Sequence, residues 1–292
     1  MLKQFSKSAI FMLFILSLVG CGSDSVTTTP PIPPPPVNPD KLVINQDNSA
    51  LVIASTIGSI KTLGEKVEGI PRLDLDKIPG FGFTASTDIA PMAGVNLDIS
   101  DIADICKEGG SAKLNSVTTT TLSVTFKNCK DKDKTLNGKA DLKLDNGLYH
   151  LLVTNFSYDS SSYFDIANIT YDERGDRKDF DISISSGFII DNGEQINLQD
   201  MSLVKVSNTY IINGNLGTDC LGGVVLLKTV NHIVMENGQC PTAGELYIVG
   251  GEGSTLGITF NANSSIDTFL NNETREYYDS CESLPKYSDI CI

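Results

Sequence analysis

Two histidines and seven cysteines are the residues of this 292-residue chain best suited to catalysis or metal binding. His150 lies in LYHLLV and His232 in VNHIVM, two apolar runs that are typical of strands. The sequence contains no nucleophile-elbow, phosphate-loop, zinc-protease or EF-hand motif. We therefore nominate no catalytic residue and expect no cofactor, and we interpret both histidines as ordinary sheet residues.

Cys21 differs from the other cysteines because it follows a leader sequence. Lys3 and Lys7 precede an apolar run over 9–19, and Gly20 stands directly before the cysteine. A basic start, a short apolar run and a small-residue cleavage position are typical of a secretory signal peptide. We predict that residues 1–20 form this signal peptide, because the run is short for a membrane span.

The tetrapeptide LVGC at the end of this leader resembles the lipobox of bacterial lipoproteins. The resemblance implies a diacylglyceryl thioether on Cys21, cleavage before it, and acylation of the new amino group. A thiolate is nucleophilic enough to accept the lipid, and two or three acyl chains anchor a protein stably. Gly22 follows the cysteine in place of Asp, which in this family implies the outer membrane. The alternative is an ordinary secretory signal in which Cys21 stays unmodified.

A proline-rich segment separates Cys21 from the rest of the chain. Residues 22–40 read GSDSVTTTPPIPPPPVNPD, and such a sequence adopts an extended polyproline II conformation rather than packing into a core. At ~3.1 Å per residue the part from 27 to 39 would reach roughly 40 Å. We interpret residues 21–40 as a lipidated cysteine and its tether, with a ligand for a proline-recognition module as the alternative.

The six remaining cysteines are an even set, and a secreted chain folds where thiols pair. These are Cys106, Cys129, Cys220, Cys240, Cys281 and Cys291. None stands in a CxxC pair, so the spacing favours neither a zinc site nor a redox pair. Among the fifteen possible pairings we favour the sequential one, 106 with 129, 220 with 240, and 281 with 291.

Residues 41–110 are predicted to be partly helical. From 48 to 69 the apolar residues follow a 3.6-residue period, with Asn48 or Ser49 as the expected cap. A shorter helix is expected over 96–110. Its aspartates at 98, 101 and 104 suit either a solvated helix start or a calcium site, and we favour the former.

Residues 111–292 change to a period of two, which predicts strands with one buried and one wet face. Leu122, Val124 and Phe126 alternate with hydroxyl residues, and the apolar residues of 179–185 alternate with polar ones. Turn signals separate about ten such runs; they are Asn137-Gly138, 145–147, 191–193 and 237–238. The predicted fold is therefore mainly β: an antiparallel meander, open or curled, preceded by one or two short α-helices. We expect it to form one globular unit with 41–110.

Two further patterns occur within this β-rich region. Gly138, Gly187 and Gly214 each follow Asn or Ser inside an apolar run, at unequal spacings that fit repeated hairpin corners better than a solenoid. The stretch 240–260 resembles strand–turn–strand modules of β-rich bacterial lipoproteins, a family likeness to which no activity is attached.

Charge and composition limit the function. With 22 basic against 36 acidic residues the net charge is −14, so we expect no nucleic-acid partner. We favour a non-enzymatic binding or structural module on the bacterial cell envelope, whose partners are the membrane lipid and an envelope protein. A carrier of lipid or another apolar ligand in a curved sheet is one alternative, and a hydrolase of envelope polymers is another.

Overall fold

The period-2 alternation after residue 110 forms strands in the part of the chain that the structure describes. The computed structural model describes residues 40–69, 106, 108–118, 120–131, 134–145, 148–172, 179–191, 193–218, 220–236 and 239–285. The strands are β1 Ser111–Val117, β2 Thr121–Asp131, β3 Lys134–Asp145, β4 Leu148–Tyr158, β5 Ser162–Asp172, β6 Asp179–Asp191, β7 Glu194–Val206, β8 Thr209–Thr218, β9 Gly223–Val234, β10 Ala243–Val249, β11 Thr255–Phe260, β12 Ile266–Leu270 and β13 Thr274–Tyr278.

All thirteen strands belong to one open antiparallel sheet in which each strand pairs with its neighbours in the chain. The predicted meander is therefore confirmed, with thirteen strands rather than about ten. The turn signals at 145–147 and 191–193 do connect hairpins, since Asp145 pairs with Leu148 and Asp191 with Glu194. One face of the sheet carries the buried apolar side chains, which we call the inner face, and the other is the outer face.

The turn predicted at Asn137-Gly138 is wrong. Gly138 lies inside β3, and Gly214 lies inside β8. Each faces a β-bulge in the adjacent strand, next to Asn155 and Asp200 respectively, where the backbone has positive φ. A Cβ on Gly214 would lie 2.5 Å from the Asp200 carbonyl oxygen. The glycines let bulged strands approach closely, and bulges bend and twist a sheet locally.

The predicted lead helix is present as α1, Ser49–Gly69. At about 100° per residue its buried positions cover an arc of roughly 220°, and Lys61 and Glu65 lie on the exposed side. The cap is Asn45, not Asn48 or Ser49. Its Oδ1 accepts from the Asn48 backbone N–H, and Asn48 Oδ1 accepts in return from the Asn45 N–H. This reciprocal pair is the arrangement of a capping box.

Helix α1 lies against the inner face of the sheet. Leu63 and Val67 are fully buried and belong to one apolar core with residues from β2 to β12. The helix is fixed at both ends, because the Tyr171 hydroxyl donates to the Val67 carbonyl at 3.0 Å and the Ser49 hydroxyl donates to Glu276 at 3.4 Å. Within the described chain, no helix is long and apolar enough to cross a membrane.

The buried hydroxyls of α1 are satisfied within the helix itself. Ser55, Thr56 and Ser59 donate to the carbonyl four residues earlier, at 2.6–2.8 Å. Small hydroxyl side chains that bond to their own helix leave no unpaired donor in the core. They therefore allow a close contact between α1 and the sheet without the cost of an unsatisfied polar group.

Candidate functional site

The two histidines lie far apart in the sheet order, His150 on β4 and His232 on β9. His150 is half-buried and its Nδ1 lies 3.2 Å from the Thr170 hydroxyl. His232 is exposed. No hydrogen bond or ion pair joins either imidazole to a carboxylate of the described residues. The histidines thus lie apart and neither has an acidic partner among the described residues, so neither supports the hydrolase alternative.

A groove of about 360 Å³ lies on the outer face across β1–β5 and is the candidate site. Two rows of outward side chains line it, one through Ser123, Asp141, Leu152 and Asn168 and a second through Thr121, Lys143, His150 and Thr170. Neighbouring strands lie ~4.8 Å apart and successive outward residues ~6.8 Å apart, so these eight side chains form a compact patch. Pockets of this size accommodate small ligands.

Asp141 bonds two neighbouring side chains. The Ser123 hydroxyl donates to its Oδ1 at 2.5 Å, and Lys139 Nζ donates to its Oδ2 at 2.7 Å. Ser123 itself is only 8% exposed. The carboxylate is thus held in one orientation, and its charge is balanced by the neighbouring ammonium group.

Serine, aspartate and histidine occur together here, but not as a nucleophilic relay. In such a relay the carboxylate orients the imidazole, and the imidazole accepts the serine proton. Asp141 instead bonds Ser123 directly, and the only side chain that His150 bonds in the described structure is Thr170. The arrangement offers hydrogen bonds to a ligand rather than an activated nucleophile.

The inner face carries the apolar core of the described part of the chain. Phe156, Phe164 and Ile182 are fully buried there, and α1 covers the centre of the sheet. The carrier hypothesis requires an accessible apolar concavity and stays a prediction. No group of three or more potential metal ligands occurs among the described residues, and the aspartates at 98, 101 and 104 lie outside them.

The disulfides confirm one predicted pairing and correct the others. Cys106 and Cys129 are bonded, with Cα atoms 4.8 Å apart. Cys240 is bonded to Cys281, with Cα atoms 5.5 Å apart, so the predicted pairs 220–240 and 281–291 are wrong. Cys220 is also disulfide-bonded, and Cys291 lies outside the described residues.

The meander explains this connectivity. Cys220 and Cys240 flank the single strand β9, whose twelve residues span roughly 40 Å, far beyond the reach of a disulfide. Cys240 precedes β10 and Cys281 follows β13. Four antiparallel strands between them return the chain to the same end of the strands. Cys129 lies near the end of β2, where the strand has returned to the residues that follow Cys106.

Residues 1–39, including Cys21 and the proline-rich segment, lie outside the described residues, as does nearly all of the second helix predicted over 96–110. The chain enters the described fold at Asp40, beside the start of β9. The Leu42 N–H donates to the Val224 carbonyl, and the Gly251 N–H donates to the Leu42 carbonyl. A Cβ on Gly250 would lie 2.3 Å from the Leu42 oxygen, so the close approach requires glycine there.

Sequence reasoning missed the groove. The outward polar residues of each strand were visible in the alternation, as with Ser123, but the alternation does not say which residues of different strands stand side by side. That information lies in the strand register, which places Asp141 opposite Leu152 and Leu152 opposite Asn168. Comparison with known proteins found no matching sequence family, no similar curated protein and no solved structure of similar fold.

Proposed function

We propose that this chain is a lipoprotein of the bacterial cell envelope, anchored at the outer membrane through Cys21. The proposal rests on the sequence LVGC after a basic and apolar leader, which resembles a lipobox. The tether over 21–40 gives the folded part reach from the membrane surface. The hydrogen bond from the Val224 N–H to the Asp40 carbonyl supports this role, because it attaches the last residue of the tether to the sheet.

The folded part is a non-enzymatic binding module that uses the outer face of its sheet. The observation that carries this proposal is the packing of α1 on the inner face, where Leu63 and Val67 are fully buried. With α1 packed on the inner face, the outer groove at Asp141 and His150 is a concave surface open to a ligand in the described part of the chain. The contact of His150 with Thr170 rather than with a carboxylate, and the direct bond from Ser123 to Asp141, favour binding over hydrolysis.

Replacement of the proposed lipid acceptor tests the anchor. In the native host, Cys21→Ser removes the thiol, so the protein should move from the membrane fraction to the soluble periplasmic or medium fraction. Ser23→Ala, two residues away, preserves the LVGC sequence and should stay in the membrane fraction. Retention of the Cys21→Ser protein in membranes after a high-salt wash would refute the lipid anchor.

A further inference from the structure

The charges at the outer groove cancel in local pairs. Asp141 lies 2.7 Å from Lys139, and Lys143 lies 3.7 Å from Asp145. The chain as a whole carries a net charge of −14, so this balanced region differs from the average surface. A ligand with a full charge would have to compete with these existing pairs, whereas an uncharged polar ligand would leave them in place.

Several hydrogen-bonding groups of the groove are free to bind a ligand. Asn168 is exposed and bonds no other described side chain, and its amide is both a donor and an acceptor. His150 uses Nδ1 with Thr170, which leaves Nε2 available. Between them Leu152 is 37% exposed and offers an aliphatic surface. Leu152 pairs directly with Asn168 across β4 and β5.

We propose that this groove binds an uncharged carbohydrate, which is a ligand rich in hydroxyl groups. A sugar ring presents hydroxyls at its edge and C–H groups on its face. The hydroxyls match the amide of Asn168, the imidazole of His150 and the hydroxyl of Thr170, while the C–H face matches Leu152. The volume of about 360 Å³ suits one or two sugar units.

This inference deepens the proposed function, on which it rests, by giving the binding module a ligand class. The two can fail separately, since the anchor is tested by membrane fractionation and the groove by titration. An anchored protein without sugar binding would keep the first proposal and refute the second.

The test is calorimetric titration of the full chain, purified in detergent, with two neutral tetrasaccharides, cellotetraose and N-acetylchitotetraose. We expect saturable binding of at least one of them. Tetragalacturonate, an anionic sugar of similar size, and tetra-alanine, a neutral peptide, should bind at least tenfold more weakly. Equal or stronger binding of either comparison ligand, or binding of neither neutral sugar, would overturn the proposal.

Two matched asparagine variants locate the binding. Asn168→Ala removes the free amide from the groove and should lower the affinity for the neutral sugar about tenfold. This is the loss expected when about 1.4 kcal/mol of interaction is removed. Asn208→Ala makes the same change on the exposed turn between β7 and β8 and should bind as the unmodified protein does. Circular dichroism spectra should be unchanged for both variants, because both side chains are exposed. Equal affinity of the two variants would place the sugar outside the groove.

Discussion

The two faces of the same strands differ in burial and in what their side chains contact. On β4 the inward residues Leu151, Val153 and Phe156 are almost completely buried, whereas the outward residues His150 and Leu152 line the groove. The inner residues must fit α1 and one another. The outer residues need only keep the strand soluble, so they are free to carry a binding function.

The contrast implies that the inner face determines stability and the outer face determines binding, which substitutions can test. Changes on the inner face, or at the bulges that bend it, should reduce stability strongly. Changes at exposed groove residues should leave stability nearly unchanged and alter binding instead.

The largest effect is expected where a glycine faces a bulge. Gly214→Ala forces a Cβ to within 2.5 Å of the Asp200 oxygen at a residue with φ of +129°, so the strands must separate. We expect a loss of about 3 kcal/mol or more in the free energy of unfolding, measured by urea denaturation.

Gly193→Ala is the matched control, since Gly193 also has positive φ but nothing lies within 4 Å of the point that a Cβ would occupy there. Gly193→Ala should lower the free energy of unfolding by about 1–2 kcal/mol, which is the backbone strain of a non-glycine residue with positive φ. Equal losses for the two variants would show that the bulge contact does not shape the sheet.

The next effect concerns the helix that packs on the inner face. Leu63→Ala removes a fully buried side chain from the contact with the sheet and should lower the free energy of unfolding by about 2–5 kcal/mol. Lys61→Ala changes an exposed residue of the same helix and should stay within about 0.5 kcal/mol of the unmodified protein. A loss below about 1 kcal/mol for Leu63→Ala would contradict a filled inner face.

The smallest effect concerns pH at the last strand. Burial, and then the hydrogen bond to Glu276, raise the pKa of Tyr278 from 10.0 to about 12. Because the folded-state pKa is the higher one, this stabilisation is complete below pH 10 and is lost as the pH rises towards 12.

Tyr278→Phe keeps the ring and removes the titrating hydroxyl. The unmodified protein should therefore lose more stability than this variant between pH 10 and 12, as measured by thermal unfolding at each pH. Parallel pH profiles would show that the Tyr278 hydroxyl does not contribute.

Local patterns predicted the elements well but not the way in which they pair. The 3.6-residue period gave α1, and strict alternation gave strands such as β6, because burial on one face leaves a direct pattern in the sequence. The turn prediction at Asn137-Gly138 is wrong because the same dipeptide occurs both in hairpin turns and opposite β-bulges. A turn residue and a residue facing a bulge differ in their neighbours on the adjacent strand, and the sequence alone does not show those neighbours.

The disulfides and the groove depended on longer-range geometry. The pairing of Cys240 with Cys281 follows from an even number of strands between them, which requires the complete meander. The groove residues Asp141 and Asn168 stand close together only because of the register of three strands. In the sequence alone, each of them is an ordinary polar position on a wet face.

The central claim is that this binding module is attached to a membrane through one lipidated cysteine. The most direct test is mass spectrometry of the protein extracted from its native host. The account predicts a mature N-terminus at Cys21 that carries a diacylglyceryl group, with residues 1–20 removed. An unmodified Cys21, with the leader retained or cleaved at another residue, would contradict it.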